Sequence, residues 1–374
     1  MIAAAQSEIC VGVVGAAAKS GWAKMSHVPA INDLPGLRLA AVATRNEQSA
    51  REAAKAFGAD RWYRDPFAMI CDHQIDIVTV SVDVPAHREL VLAALEAGKA
   101  VYCEAPLGRS VAEAEEMVNA THSLHTAIGL QGRLNPAVRR AAELVSSGKI
   151  GRPLNARIVS QTLAFGPEMP VAQEYYIKRS SGANLLTIAG GHTLDLVEAV
   201  LGKIIEVDAR AEIRWPIVRL IETGVESVRE TADYVGILGK TTSGVAFTAE
   251  IEAGVPPDNV RFSVEVRGSD GWLSLTSSHP GGVQIGDLKL RSTVAFAEPD
   301  APAVSDENME TAVNVGEIYA QLARDLRERT YRTPGFLAAL RNSCLVEAVR
   351  HSAEGGVRQK LKWVLNAPAI PATF

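Results

Sequence analysis

An α/β chain is the fold class this sequence predicts: a doubly wound parallel sheet in its N-terminal part, followed by an α+β unit built on a mostly antiparallel, open-faced sheet. Three observations carry that expectation. Short apolar runs alternate with helical stretches through the first third, the pattern of repeated strand–helix units. The first of those runs leads into a glycine-containing turn. After about Gly132 the pattern changes to longer alternating strands joined by tight turns. A length of 374 residues suits two domains, placed at 1–131 and 132–374.

The elements follow in order. Ile9 to Val14 is a short apolar run read as the first strand, and Arg38 to Ala43 is the second. Asn46 can cap a helix that ends at Gly58. Ile75 to Val82 is β-branched and suits the middle of a sheet. Pro85 and Gly98 bracket a helix with Leu90, Val91, Ala94 and Leu95 on one side. Ala100 to Cys103 is a strand, and Ser110 with Glu113 forms a capping box for the helix lined by Ala114, Met117 and Val118. Ala127 to Gln131 closes the series. Asn135-Pro136 then opens a helix by cap and first-turn proline. Strands follow at 154–163, 206–213, 232–239, 244–253, 261–268 and 271–276, with hairpin turns at Thr242-Ser243-Gly244 and Ser269-Asp270-Gly271. Glu298 to Asn308 is acidic and proline-containing, as a surface loop would be. Two helices finish the chain, the last carrying Leu340, Cys344, Leu345 and Val349.

The bulk numbers exclude several classes. Apolar residues make up 47% and charged residues 22%, an ordinary globular composition. A net charge of −5 without a long basic block argues against nucleic acid or an anionic membrane as partner. The four cysteines, Cys10, Cys71, Cys103 and Cys344, are widely spaced, and no pair has metal-ligand spacing. Buried reduced thiols in a cytoplasmic protein without a metal are expected. Met1 to Ser7 lacks a basic region, so neither a signal peptide nor a membrane span is read there.

The first turn runs Gly15-Ala16-Ala17-Ala18-Lys19-Ser20-Gly21-Trp22. Glycine here lets backbone N–H groups approach a pyrophosphate at a helix N-terminus, although Ala17 replaces the second glycine of a G-x-G-x-x-G turn and the loop is longer. The second strand ends at Thr44-Arg45. An acidic residue there would hold the ribose of NAD, whereas an arginine accepts the 2′-phosphate of NADP. NADP is therefore favoured and NAD kept open; the bland alternative for Arg45 is a solvated loop charge.

The ordered set of Gly15, Ser81-Val82-Asp83-Val84-Pro85-Ala86-His87, Glu104-Ala105-Pro106-Leu107, Gln131-Gly132-Arg133-Leu134-Asn135-Pro136 and Gly191-His192-Thr193-Leu194-Asp195 resembles the Gfo/Idh/MocA oxidoreductase family. The resemblance implies a Rossmann domain, with Ser81, Val82, Pro85 and His87 lining the dinucleotide beside Gly15, Ala16, Ala17, Gly21, Trp22, Thr44, Arg45, Ala105 and Gln131. It also implies that Glu104 reaches the nicotinamide ribose. Family members often pair through the second sheet, so a homo-oligomer is expected.

Oxidising a secondary alcohol requires a base for the hydroxyl proton while the C–H delivers hydride. The family's usual pieces are the lysine of Glu-Lys-Pro and an Asp-x-x-x-His pair. Here alanine, Ala105, stands at the lysine position and Ile188 stands four residues before His192. His192 and Asp195 are three apart at an apparent helix start and can face one side, so Asp195 is expected either to orient the imidazole or to contact substrate hydroxyls. Tyr176, with Lys178 or Arg179 close by, could replace the lysine if a cation lowers its pKa; the plain alternative is aromatic packing. Arg133 and Lys178 are further candidates for substrate contact. The lysine-free pattern, with the Gly21-Trp22 loop, resembles more closely the galactose-pathway-repressor-like branch of the family, which binds dinucleotide and acts in regulation.

Three readings result. The first is an NAD(P)-dependent oxidoreductase acting on a carbohydrate-like small molecule, a sugar, polyol or glycoside. The second is a dinucleotide-binding regulator or sensor without turnover. The third is glycoside cleavage or epimerisation assisted by a retained cofactor.

Overall fold

A computed structural model describes residues 8–285, 287–305 and 310–361. The first part of the chain lays down β1 (Ile9–Val14), α1 (Trp22–Met25), α2 (His27–Asp33), β2 (Leu37–Ala43), α3 (Glu47–Phe57), β3 (Arg61–Tyr63), α4 (Pro66–Ile70), β4 (Ile77–Val80), α5 (His87–Glu96), β5 (Ala100–Cys103), α6 (Val111–Asn119) and β6 (Thr126–Ile128). These strands form one parallel sheet in the order β3-β2-β1-β4-β5-β6. The order reverses between β1 and β4, which opens a crevice at the carboxyl ends of those two strands. β1, β4 and β5 are buried along nearly their whole length, the burial that β-branched runs suit.

Local chemistry sets the helix ends. The Asn46 side chain accepts from Ser49 N–H at the start of α3, and Gly58 ends that helix in the left-handed region. Ser110 caps α6 by accepting from Glu113 N–H, but the Glu113 carboxylate accepts from Arg109 rather than closing the expected capping box. β3 and α4 were not expected: three residues are too few for a strand period, and α4 is a single turn capped by Asp65 and opened by Pro66.

The chain leaves the first sheet through a tight helical turn at Gln131–Leu134 and enters α7 (Pro136–Ser146), where the Asn135 side chain accepts from Ala137 N–H. Then follow β7 (Pro153–Gln161), β8 (Glu168–Met169), α8 (Gly191–Leu201), β9 (Ile204–Glu212), β10 (Ile217–Leu220), β11 (Glu226–Val228), β12 (Tyr234–Thr241), β13 (Ala246–Glu252), β14 (Phe262–Gly268), β15 (Trp272–Ser277), β16 (Lys289–Ser292), α9 (Glu310–Glu328), α10 (Phe336–Gly355) and β17 (Gln359–Lys360). The second sheet runs β16-β15-β14-β7-β13-β12-β9-β17 and is antiparallel except for the β7–β13 pair. Both expected hairpins, β12–β13 and β14–β15, are present. The short β8, β10 and β11 form a separate three-stranded patch.

One face of the second sheet alternates buried and exposed along β12, β13 and β14. Its inner residues, among them Phe247, Ile251 and Val264, pack against α7 and α8 in one core. The last two helices return across the molecule. α9 buries Ala312, Val315, Ile318, Tyr319 and Leu322 in the core of the first sheet. α10 places Phe336 and Ala339 in a separate core on the other face of that sheet, then Leu345, Val346 and Val349 in the core of the second sheet. The segment expected as a surface loop is only partly so: Val304 is buried in the first core, and 306–308 lie outside the described residues.

Candidate active site

Five strand ends meet along the carboxyl edge of the first sheet, and backbone hydrogen bonds hold them side by side. Gly15 N–H donates to Ala43 O at 2.9 Å, Ser81 N–H to Val14 O at 3.0 Å, Glu104 N–H to Val80 O at 3.1 Å and Gly129 N–H to Cys103 O at 2.8 Å. Gly15 sits at φ +94, and a Cβ there would overlap the Ser81 carbonyl and stand 2.9 Å from Val82 Cγ1. Glycine is therefore required where the first turn passes the Ser81 backbone. Ala16 is buried, Ala17 N–H donates to Gly15 O, and Gly21 at φ +113 precedes α1, which Trp22 opens. Trp22 Nε1 and both amide atoms of Gln131 are buried without a hydrogen-bond partner among the described residues. Buried polar groups are ordinarily paired, so these atoms near the first turn fit a bound polar group such as a dinucleotide.

At the end of β2, the Thr44 hydroxyl lies 2.5 Å from Ser49 Oγ, and Arg45 extends into solvent with its guanidinium 3.6 Å from Asp83. Pro85 lies in the turn that leads from Ser81 and Val82 into α5. His87 corrects an expectation. It is fully buried, with Nδ1 3.1 Å from Pro106 O and Nε2 3.0 Å from Val82 O. With both ring nitrogens on backbone carbonyls, it braces the loop from behind instead of lining the crevice. Its burial lowers its pKa, against the pull of those carbonyls.

Across the crevice, a wide π-helical turn at Leu186–Gly190 runs into α8. Ile188 packs against the second core and carries no polar group toward His192. Asn342 of α10 donates to Gly191 O at 2.9 Å, and a Cβ on Gly191 would come within 2.9 Å of Asn342 Oδ1; this close approach explains a glycine at the start of a helix. His192 is buried in the first turn of α8, and desolvation pulls its pKa down to about 4 although the Glu104 charge opposes that shift. The imidazole is thus neutral at physiological pH, within electrostatic reach of Glu104.

Asp195 does not orient His192. Arg133 donates to both its carboxylate oxygens, from Nε at 2.8 Å and through a second, shorter contact from Nη2. The pair ties α8 to the turn after the first sheet. Burial holds the Asp195 pKa up even against this partner. Arg133 is accordingly engaged within the protein, not free for substrate.

Tyr176 also departs from expectation. Burial raises its pKa, and no cation counters it, because Lys178 contacts Glu230 at 3.3 Å and Arg179 pairs with Glu354 at 2.7 Å. Its ring packs on Phe165 and Tyr175 at centroid distances of 5.0 and 4.3 Å. Tyr175, beside Tyr176, faces Asp83. Ala105 is half-buried beside Glu104 and leads into a cis bond to Pro106. Sequence reasoning also missed His27, whose Nε2 lies 3.0 Å from Glu104 Oε1. Nothing in the local pattern marks it: it sits in an apolar helix far from Glu104 in the chain.

Two family models match consecutive stretches of the chain. "Oxidoreductase family, NAD-binding Rossmann fold" covers residues 9–130, and "Gal80p, C-terminal domain" covers 136–277. The chain is 27% identical to D-apiose dehydrogenase of Paraburkholderia graminis over 96% of its length and 92% of that protein. It is 33% identical to dehydrogenase aclE of Aspergillus oryzae over 50% of its length, spanning about half, 51%, of that protein. It is 29% identical to the galactose/lactose metabolism regulatory protein GAL80 of Kluyveromyces lactis over 75% of its length and 66% of that protein. Among solved structures, a super-repressor mutant of Gal80p from Saccharomyces cerevisiae superimposes with a TM-score of 0.81 at 22% identity, covering 95% of this chain and 98% of that one. Levoglucosan dehydrogenase in complex with NADH and L-sorbose gives 0.81 at 20% identity, covering 96% and 100%. The two matched stretches place this chain in the Gfo/Idh/MocA oxidoreductase family, with the family's NAD-binding Rossmann fold joined to a C-terminal domain of the Gal80p type.

Proposed function

We propose that this chain is an NAD(P)-dependent oxidoreductase that takes a hydroxyl of a sugar, polyol or glycoside to the carbonyl, with His192 as the proton acceptor. One observation carries the reading: a buried, neutral imidazole stands in the first turn of α8 within electrostatic reach of Glu104. Gly15, Ala16, Ala17, Trp22, Ser81, Val82, Glu104 and Gln131 would hold the dinucleotide, which supplies the hydride acceptor when bound. At the end of β2, Arg45 offers a cation to a 2′-phosphate, and Asp83, 3.6 Å from its guanidinium, offers a carboxylate to an unmodified ribose. His192 accepts the hydroxyl proton as the carbonyl forms, and the nearby Glu104 charge stabilises the imidazolium that results. Arg133 and Asp195 act as a clasp that sets the position of α8, and so of His192, relative to Gln131.

A second reading is favoured by one feature of the same site. Ala105 brings only a methyl group where a lysine would act, and Tyr176 is not activated to replace it. A dinucleotide-binding regulator without turnover would need no such group. Incubating the purified protein with NAD or NADP and a panel of sugars, polyols and glycosides separates the two. Formation of reduced nicotinamide with one substrate class supports the oxidoreductase. Tight dinucleotide binding with no reduction, and no chemical change in any panel member, sinks that reading and leaves the regulator.

A further inference from the structure

Behind the carboxyl edge of the first sheet lies a row of buried polar side chains that the chemistry above does not use. His27 of α2, Thr79 of β4, Tyr102 of β5 and Tyr319 of α9 are all fully buried. Thr79 Oγ1 lies 2.7 Å from the Tyr319 hydroxyl, and that hydroxyl lies 3.0 Å from His27 Nδ1. His27 Nε2 in turn stands 3.0 Å from Glu104 Oε1, bent away from a linear hydrogen bond, so this last contact is electrostatic. The three rings meet edge to face at centroid distances of 4.9, 5.0 and 5.7 Å, which fixes their positions.

A ring lone pair facing a carboxylate would be repelled, so His27 turns an N–H from Nε2 toward Glu104. Nδ1 meets the Tyr319 hydroxyl, which in turn meets Thr79 Oγ1. Tyr102 faces the same carboxylate, and burial together with the Glu104 charge pushes its phenol well above the ordinary value, so it keeps its proton. On the far flank, a Cβ on Gly129 would stand 2.7 Å from Glu104 Oε2, so the carboxylate lies against bare backbone.

Glu104 ends β5, beyond the switch point between β1 and β4. A dinucleotide across that crevice lays its adenosine half over β1–β3 and its other half over β4–β6. We propose that His27 and Tyr319 are positioning residues that fix the Glu104 carboxylate as the acceptor for a hydroxyl on the nicotinamide half of the bound dinucleotide. The assignment rests on the dinucleotide-binding reading above. It makes a residue of α9, far along the chain from the first sheet, part of the cofactor site without touching the cofactor.

The test compares NADH with ADP, which lacks the nicotinamide riboside, by titration calorimetry on the full chain. The variants are Tyr319→Phe, His27→Gln, Glu104→Gln and the double variant Tyr319→Phe/Glu104→Gln, each checked for folding by thermal melting. Tyr319→Phe and His27→Gln are expected to weaken NADH roughly fivefold or more and to leave ADP within about twofold. In the Glu104→Gln background, Tyr319→Phe should add almost nothing further. Equal weakening of both probes, unchanged NADH affinity, or a fully additive double variant would each overturn the positioning role. If the wild-type chain binds none of NADH, NADPH and ADP, the dinucleotide-binding reading itself fails, a result distinct from those three.

Discussion

Replacing His192 by glutamine should change how this protein tolerates acid. In the native state burial pulls the His192 pKa from 6.5 down to about 4. In the unfolded chain the ring has its ordinary value, so between those two pH values the unfolded state binds a proton that the native state refuses. The stability this neutral ring permits is therefore complete above about pH 6.5, falls as the pH drops through the window, and levels off below about pH 4. From pH 7 to pH 5 the linkage amounts to about 2 kcal/mol, within a limit of about 3 kcal/mol at lower pH. Glutamine does not titrate, so the variant should lose about 2 kcal/mol less than the wild type over the same interval. Urea unfolding of both proteins at the two pH values measures the difference. His87, buried with a lowered pKa, and Asp195, buried with a raised one, contribute equally to both proteins and cancel. A direct check is the His192 ring resonance, identified by its loss in the variant, which should not titrate between about pH 5 and 8. Parallel acid sensitivity of the two proteins, or a ring that titrates near its ordinary value, would refute both the burial argument and the neutral-base assignment.

Three further outcomes are expected. Gly15→Ala places a Cβ into the Ser81 carbonyl at a positive φ; the strain and overlap together amount to about 2–5 kcal/mol, and dinucleotide affinity measured by calorimetry should fall at least tenfold. Arg133→Met leaves Asp195 buried without its partner and should cost about 3–5 kcal/mol in urea unfolding, with most of it recovered in Arg133→Met/Asp195→Leu. Ala105→Lys restores an ammonium beside Glu104 and should raise turnover of any accepted substrate by about 100-fold or more, an increase that His192→Ala abolishes.

What could be read before folding was whatever depends on near neighbours in the chain. Asn46, Ser110 and Asn135 cap helices within three residues of themselves, and each does so in the structure. The strand–helix alternation likewise fixed the parallel sheet, because each unit is local. The short β3, β8, β10 and β11 escaped, since two to four residues carry no usable period. Side-chain pairing across the fold was the main source of error. Lys178 and Arg179 looked free to activate Tyr176, but Glu230 and Glu354, far along the chain, engage them. Asp195 looked like a partner for His192 three residues away, yet a guanidinium from the turn after β6 takes both its oxygens. His27 and Tyr319 offered no local signal at all, because their meaning lies in a contact between the second and the ninth helix.

The return of α9 to the first sheet has a consequence for how the protein is made. The first sheet leaves the ribosome well before the helix that seals its core with Val315, Ile318, Tyr319 and Leu322 is translated. At typical elongation rates the wait is on the order of ten seconds or more, while every strand of the second sheet but the last is synthesised. Throughout that interval the nascent chain exposes an apolar groove along α2 where α9 will dock. The nucleotide-binding half is thus expected to need chaperone shelter during synthesis, and ribosome-bound chains stalled before Glu310 should be markedly more protease-sensitive in residues 9–130 than the finished protein.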